Sequence, residues 1–174
     1  MIGADGPMAT TKMSLEEYLS SGYRPDAEYI DGELRERNVG ELEHSRMVKA
    51  ILLWFERFET SWQLEALPDV RVQVSAENYR VPDICLRPLA NPDVRFVTAV
   101  PAAVIDVLSP EDSISDYRER IADYRQKGIP GIWVVDPKTR KGWDCSSGDW
   151  IESVVFRLPD SPVYLDLTAV ASSR

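Results

Sequence analysis

The sequence predicts a mixed α/β (α+β) fold, in which helices flank a central mixed β-sheet that carries an antiparallel hairpin extension. Three observations lead to this prediction. A strand–turn–strand pattern lies near the start of the chain, an amphipathic helix follows at residues 44–58, and a strand–helix–strand unit covers residues 102–136. The last unit is typical of a crossover that joins two parallel strands, so the sheet should contain parallel and antiparallel pairs.

The first elements are a capped helix, a hairpin and the amphipathic helix. Ser14 is followed three residues later by Glu17, which is the spacing of a capping box at the start of a helix. Residues 28–35 are predicted to form two strands, because an Asp-Gly turn signal interrupts them. In residues 44–58 the apolar side chains recur at spacings of three and four, which is the period of a helix with one buried face.

Strands and a loop fill the middle of the chain. Residues 70–74 alternate between apolar and polar side chains, as a half-buried strand does, and residues 79–86 are predicted to be a second strand that pairs with the first as a hairpin. The prolines within residues 87–100 predict a loop. Residues 102–108 are nearly all apolar, which predicts a central strand buried on both faces.

The crossover helix and the closing strands complete the predicted fold. A helix is expected over residues 116–127, with Ser115 as its N-cap and Gly128 directly after its last turn. Residues 131–136 form the next buried strand, and residues 142–155 form the antiparallel hairpin extension.

The composition is that of a globular protein. The chain has 174 residues, of which 44% are hydrophobic and 28% are charged. Residues 1–13 are predicted to be a disordered tail and residues 14–174 a single domain. Because no apolar run approaches the roughly 20 residues that cross a bilayer and only two cysteines occur, no membrane partner and a cytoplasmic location are expected. The net charge of −9 disfavours broad, non-specific binding to nucleic acid.

Two aspartates interrupt otherwise apolar, strand-like runs. Asp83 lies in the second strand of the predicted hairpin, and Asp106 lies in the central strand. Burying an ionised carboxylate without a partner is costly, so each aspartate needs a compensating group. A divalent cation such as Mg²⁺ would serve both, since it prefers oxygen ligands, and the backbone carbonyl of Val107 would add another. The alternative for Asp83 is an ion pair with Arg80 or Arg87.

A basic helix follows the second aspartate. Asp116, Arg120 and Tyr124 recur at a spacing of four residues and therefore share one face of the predicted helix. A cation on this face would stabilise the charge that develops on a phosphate during hydrolysis. The alternative is an ordinary intrahelical pair between Asp116 and Arg120, which contributes only about 0.3–0.5 kcal/mol.

Taken in order along the chain, these motifs resemble those of the Uma-type restriction endonuclease family, which belongs to the PD-(D/E)XK nuclease superfamily. The resemblance runs from about residue 14 to residue 137, and the block from residue 106 to residue 137 is its most specific part. It implies a restriction-endonuclease-like core and a Mg²⁺-dependent site. The matching segments are Tyr29-Ile30-Asp31-Gly32-Glu33-Leu34, His44, Val81-Pro82-Asp83-Ile84, Val104-Ile105-Asp106-Val107-Leu108-Ser109-Pro110, Asp116, Tyr124, Gly128-Ile129-Pro130 and Trp133-Val134-Val135-Asp136-Pro137.

The resemblance also implies roles for individual residues. Asp83 and Asp106 would be the metal carboxylates, Arg120 would occupy the position of the catalytic lysine, and Glu28 would support the metal or the attacking water. The chain departs from the family at Asp106, where glutamate is usual, and at Arg120, because a guanidinium cannot act as a base. The residues of secondary interest are His44, Glu33, Asp116 and Tyr124, with Val107 as a backbone ligand.

Three functions are consistent with these residues. The leading hypothesis is an endonuclease that hydrolyses phosphodiester bonds, with Mg²⁺ or Mn²⁺ as cofactor, DNA as substrate and a homodimer as the assembly. The second is a catalytically degenerate nuclease fold that serves as a nucleic-acid-binding or protein-interaction module, which the net charge of −9 and the two departures favour. The third is an unrelated hydrolase of small phosphoesters, which would need a closed pocket.

Overall fold

The computed structural model describes residues 11–24, 26–37 and 40–171. Of the predicted tail, residues 1–10 lie outside this range, while Thr11 and Lys12 form a strand. The described elements, in chain order, are β1 (Thr11–Lys12), α1 (Leu15–Ser20), β2 (Ala27–Ile30), β3 (Glu33–Glu36), α2 (Leu42–Glu56), α3 (Glu59–Trp62), β4 (Leu64–Pro68), β5 (Val72–Gln73), β6 (Tyr79–Arg80), β7 (Ile84–Pro88), β8 (Ala103–Val107), α4 (Ile114–Lys127), β9 (Gly131–Val135), β10 (Gly142–Asp144), β11 (Ile151–Glu152), β12 (Val155–Arg157), β13 (Tyr164–Asp166) and α5 (Leu167–Ala171).

The strands form two larger sheets and one small one. The first sheet has the strand order β1-β3-β2-β6-β5, and its strand pairs are antiparallel. The second sheet has the order β11-β10-β9-β8-β7-β4 and is mixed, because β8 and β9 are parallel while its other pairs are antiparallel. Strands β12 and β13 pair separately. The predicted mixed sheet, the crossover unit and the hairpin extension are thus confirmed.

Helices α2 and α4 cover opposite faces of the second sheet. Ile105 of β8 belongs to the same buried cluster as Phe55 of α2, while its neighbour Val104 belongs to the cluster that contains Ile121 of α4. This division follows from the alternation of side chains along a strand. A central strand with an apolar residue at nearly every position can therefore pack against a helix on each side.

The predicted strand at residues 79–86 is wrong in one respect, because the chain divides it between two sheets. Strand β6 ends at Arg80 in the first sheet, and β7 begins at Ile84 in the second. Pro82 lies in the gap and has no N–H to donate to a strand ladder, which favours the break at this point. The break leaves Asp83 where the chain passes from one sheet to the other.

The ends of the helices follow local capping signals. The capping box at Ser14 is confirmed, and Gly128 ends α4 in the left-handed conformation (φ 83°) as predicted. The predicted N-cap of α4 is wrong: Ser113, and not Ser115, caps this helix, and Asp116 completes the capping box. The spacing of three residues between Ser113 and Asp116 allows their side chains and backbone N–H groups to bond reciprocally.

Two further predictions concern the cysteines and the membrane. Cys85 and Cys145 are buried and unpaired, and Cys85 lies among apolar side chains of the second sheet, as expected of a small core residue. Across the described ranges, no helix combines the length and the apolar character needed to span a bilayer.

Candidate nuclease site

Three of the predicted site residues meet between the two sheets. Glu28 lies on β2, Asp83 lies between β6 and β7, and Asp106 lies on β8; each is at most 3% exposed. The backbone N–H of Asp83 donates a hydrogen bond to Oδ1 of Asp106 over 3.3 Å, and the N–H of Val107 donates to Oδ2 of Asp83 over 2.7 Å. These two bonds hold Asp83 and Asp106 side by side.

The guanidinium of Arg37 lies among the three carboxylates. Its Nη2 donates to Oδ1 of Asp83 over 2.7 Å, and its Nη1 lies 3.7 Å from Oε1 of Glu28 and 3.9 Å from Oδ1 of Asp106. Nη1 is buried and has no hydrogen-bond partner within the described part of the chain. Arg37 is therefore a cation that lies within ion-pair distance of all three carboxylates. Sequence reasoning missed it, since it follows the end of β3 in an ordinary polar stretch with no motif around it.

Glu28 is held by arginines from three parts of the chain. Nη1 of Arg80 donates to its Oε2 over 2.8 Å, the N–H of Val81 donates to Oε1 over 3.2 Å, and Nε of Arg120 lies 3.4 Å from Oε1. Burial opposes ionisation, but the positive charges of Arg120, Arg80 and Arg37 outweigh it and lower the pKa of Glu28 to about 2. Glu28 is therefore a carboxylate at neutral pH.

The two aspartates have opposite pKa shifts. Burial raises the pKa of Asp106 to about 6, and the carboxylate of Asp83 adds to this effect while Arg37 opposes it. The pKa of Asp83 is lowered, because Arg37, His44 and the N–H of Val107 outweigh the effect of burial. Such divergence is expected where two carboxyl groups share one buried site. Strongly shifted carboxyl groups are concentrated at functional sites.

His44 joins the site from the first turn of α2. Its Nε2 lies 3.3 Å from Oδ2 of Asp83. Burial lowers the pKa of His44, but the hydrogen bond and the charge of Asp83 outweigh it, so that the net pKa is raised. The histidine that sequence reasoning kept as a secondary candidate thus contacts the first of the two predicted metal carboxylates.

Arg120 is buried, and its ion-pair partners differ from Asp116, the partner considered from the sequence. The carboxylates within ion-pair distance in the described residues are Glu28 and Asp112, whose Oδ2 lies 3.4 Å from Nη1 of Arg120. Asp116 instead accepts hydrogen bonds from Ser113 as part of the helix cap. The intrahelical pair of Asp116 with Arg120 is therefore replaced by contacts that fix Arg120 against Glu28.

The remaining predicted site residues are Glu33, Tyr124 and Val107. Glu33, on β3, lies opposite Ile30 of β2, and it makes no ion pair among the described residues. The hydroxyl of Tyr124 is buried and, within the same ranges, has no hydrogen-bond partner; burial raises its pKa. The carbonyl of Val107 lies 3.4 Å from the hydroxyl of Tyr117. A role of Val107 as a metal ligand stays a prediction.

The ion pairs considered as an alternative for Asp83 are not formed. Arg80 binds Glu28 and not Asp83, and Arg87 pairs with Glu65 on β4 and with Asp93 in the loop after β7. Asp83 instead pairs with Arg37, which lies 46 positions away in the sequence. The expectation that a buried Asp83 needs a positive partner is confirmed, but this partner directly follows β3.

The chemistry of these residues fits a hard divalent cation. Mg²⁺ is usually bound through one or two carboxylates, with water and substrate phosphate oxygens completing its shell. Asp83 and Asp106 provide two such carboxylates, and the backbone N–H of Asp83 donates to Oδ1 of Asp106. No larger group of His, Cys, Asp and Glu side chains arranged to hold a metal occurs among the described residues. Because Arg37 lies within 4 Å of Oδ1 of both aspartates, an ion bound to these oxygens would compete with its guanidinium.

The structure is a mixed sheet flanked by helices, with a buried aspartate pair at the junction of two sheets. It therefore belongs to the class of nuclease-like α/β folds. The chain belongs to the Uma2 family, whose model, described as "Putative restriction endonuclease", matches residues 15–168. Among solved structures, the chain is similar to "a putative nuclease belonging to DUF820" from Anabaena variabilis. The TM-score is 0.75 and the identity 17%, with 91% of this chain and 97% of that chain covered. No curated protein matches the chain.

Proposed function

We propose that this protein is a metal-dependent endonuclease that hydrolyses phosphodiester bonds in DNA. The observation that supports it most directly is that two buried aspartates, Asp83 and Asp106, are joined by a hydrogen bond from the backbone N–H of Asp83 in a chain of a nuclease family. Burial of two neighbouring carboxyl groups is costly without a cation, and a divalent cation is also what the hydrolysis of a phosphodiester needs.

The side chains of this cluster would have distinct roles. Asp83 and Asp106 would hold Mg²⁺ or Mn²⁺, which when bound activates water and neutralises charge on the phosphate. Asp106, whose pKa is raised to about 6, must lose its proton before it can act as a ligand. Arg120 keeps its proton at any working pH and would contribute a fixed positive charge, which Glu28 holds in place.

Cleavage assays with matched variants test this proposal. Plasmid and linear DNA are incubated with the purified protein in Mg²⁺, Mn²⁺ or EDTA, and Asp83→Asn and Asp106→Asn are compared with Asp160→Asn in an exposed turn. We expect roughly a 100-fold loss of cleavage or more for the first two variants and no change for the third. Absence of metal-dependent cleavage, or equal rates for Asp83→Asn and the wild type, would contradict the proposal.

A second candidate is a nuclease-like module that binds nucleic acid or protein without cleaving it. The position of Arg37 favours this candidate, because its guanidinium already balances the carboxylates. Calorimetric titration with Mn²⁺ distinguishes the two functions. Binding that Asp83→Asn abolishes supports the nuclease, whereas absence of any carboxylate-dependent binding supports the module. The proposed homodimer is tested separately by measuring the molar mass with light scattering as the protein elutes from a size-exclusion column.

A further inference from the structure

A groove beside α2 carries a marked excess of positive side chains. Its volume is about 780 Å³, and it is bounded by α2, by the turn that follows β9 and by α5. Its lining contains one acidic residue, Glu43, and five exposed cationic residues. We call it the α2 groove, and its cationic residues are Arg46, Lys49, Arg57, Lys138 and Arg140. This local excess stands out in a chain whose net charge is −9.

The α2 groove begins beside the carboxylate cluster. Met47, which lines the groove, lies one helical turn after His44, and His44 contacts Asp83. The lining also includes Pro137, Lys138 and Arg140, which follow β9, the parallel neighbour of the strand that carries Asp106. A polymer that reaches the aspartates from this side therefore passes along α2.

The spacing of the cations fits a regularly charged polymer. Arg46 and Arg57 are eleven residues apart, which corresponds to about 16 Å along a helix axis. Successive phosphates of one DNA strand advance by about 3.4 Å along the duplex, so this length spans about five of them. Arg57 is held in place because its guanidinium lies 4.5 Å from the ring centre of Trp54. A row of cations of this length matches a phosphate backbone.

The charge of the rest of the chain also favours this groove over other surfaces. A polyanion is repelled by a protein with a net charge of −9, unless it meets a patch of the opposite sign. Contacts of Arg and Lys with phosphates give affinity and orientation without reading the base sequence. The groove should therefore contribute to binding independently of any recognition sequence.

We propose that the sugar-phosphate backbone of a nucleic acid lies along the α2 groove and that Arg46 and Lys49 bind its phosphates. The choice of nucleic acid as ligand rests on the proposed function. The binding itself does not depend on catalysis, because none of the groove cations contacts the three carboxylates within the described residues.

Fluorescence anisotropy with a labelled duplex of about 20 base pairs, in EDTA and about 50 mM salt, tests this proposal. The groove variant is Arg46→Glu combined with Lys49→Glu. The matched control is Arg118→Glu combined with Arg125→Glu, which makes the same charge change on α4, on the opposite face of the second sheet. We expect the groove variant to bind about tenfold more weakly or worse, and its slope of log Kd against log salt to fall by about 1.8. The control should change by less than about threefold.

Three outcomes would overturn the proposal. They are no duplex binding by the wild-type protein, equal weakening in both double variants, and binding of a polyglutamate peptide more tightly than the duplex. The last outcome would assign the groove to an acidic protein partner.

A small substrate separates this inference from the proposed function. Bis(p-nitrophenyl) phosphate is too short to reach the groove, so the groove variant should hydrolyse it as fast as the wild type. Groove-dependent binding of the duplex without hydrolysis of either substrate contradicts the proposed function alone. Hydrolysis of the small diester without groove-dependent binding contradicts this inference alone.

Discussion

Nη2 of Arg37 donates a hydrogen bond to Oδ1 of Asp83 over 2.7 Å, within a cluster of buried carboxyl groups. A guanidinium and a divalent cation would compensate the same negative charge, so they compete for the same carboxylates. If the site binds a metal as proposed, Arg37 would tie the stability of the fold to the metal affinity of the site. This connection can be measured without any cleavage assay.

We expect Arg37→Met to destabilise the protein in EDTA and to increase its response to Mn²⁺. Removing one partner of a buried ion pair costs about 3–5 kcal/mol, because the other charge is left without compensation. A bound ion would restore that compensation, so added Mn²⁺ should raise the Tm of Arg37→Met more than that of the wild type. Thermal unfolding followed by circular dichroism measures both effects.

Arg35→Met is the matched control for this experiment, since Arg35 forms a partly exposed pair with Glu119 over 2.8 Å. Its Tm should change little, and its response to Mn²⁺ should equal that of the wild type. An equal response of Arg37→Met and the wild type would show that the guanidinium does not compete with the metal.

Substitutions of Arg120 distinguish an electrostatic role from a role in proton transfer. Arg120→Lys keeps the positive charge next to Glu28, so we expect cleavage to stay within about tenfold of the wild type. Arg120→Met removes the charge and should reduce cleavage roughly 100-fold. Cleavage rates measured across pH with Mn²⁺ test this. Because a guanidinium stays protonated at any working pH, Arg120 should add no fall in the rate at high pH. A rate for Arg120→Lys well above the wild type would contradict the expected equivalence of the two cations.

The pKa of Glu28 predicts a pH-dependent contribution to stability. The folded pKa is about 2 and the ordinary value is 4.5. A lowered carboxyl pKa stabilises the fold above pH 4.5, and this contribution disappears as the pH falls towards 2. The shift corresponds to about 3 kcal/mol, so Glu28→Gln should lose about this amount at pH 7 and less than half of it near pH 3.

Urea unfolding at the two pH values measures the difference between Glu28→Gln and the wild type. Glu33→Gln on the neighbouring strand is the control, because Glu33 makes no ion pair within the described residues. Its difference from the wild type should be small at both pH values. A loss of stability in Glu28→Gln that is equal at pH 7 and near pH 3 would rule out the charge as its cause.

Two buried tyrosines on α4 provide a matched pair. The hydroxyl of Tyr117 donates to Oδ2 of Asp112 and accepts from the N–H of Ser109, each over 3.0 Å, so Tyr117→Phe should cost about 1–2 kcal/mol. The hydroxyl of Tyr124 has no partner in the described part of the chain, so Tyr124→Phe should change the free energy of unfolding by less than about 0.5 kcal/mol. Equal losses in urea unfolding would reveal a partner for Tyr124, such as a bound water.

Local signals in the sequence were sufficient for most elements and for the pair of aspartates. The capping box at Ser14 and the left-handed end of α4 at Gly128 depend on neighbours within a few residues, so a short window predicts them. Asp83 and Asp106 could be selected because a carboxyl group in an apolar strand is costly wherever the strand lies. The order of strand, helix and strand likewise predicted the parallel pair of β8 and β9.

Only the tertiary structure decided which cations meet these carboxylates. Arg37 and Asp83 are 46 positions apart, and Arg80 and Glu28 are 52 positions apart, so their pairing depends on how the two sheets meet. The passage of the chain from the first sheet at β6 to the second sheet at β7 also depends on tertiary structure. Pro82 predicts that the strand breaks, but it does not predict which strand β7 then pairs with. The sequence by itself determined that two buried aspartates need positive charge, and long-range packing decided that Arg37 provides it.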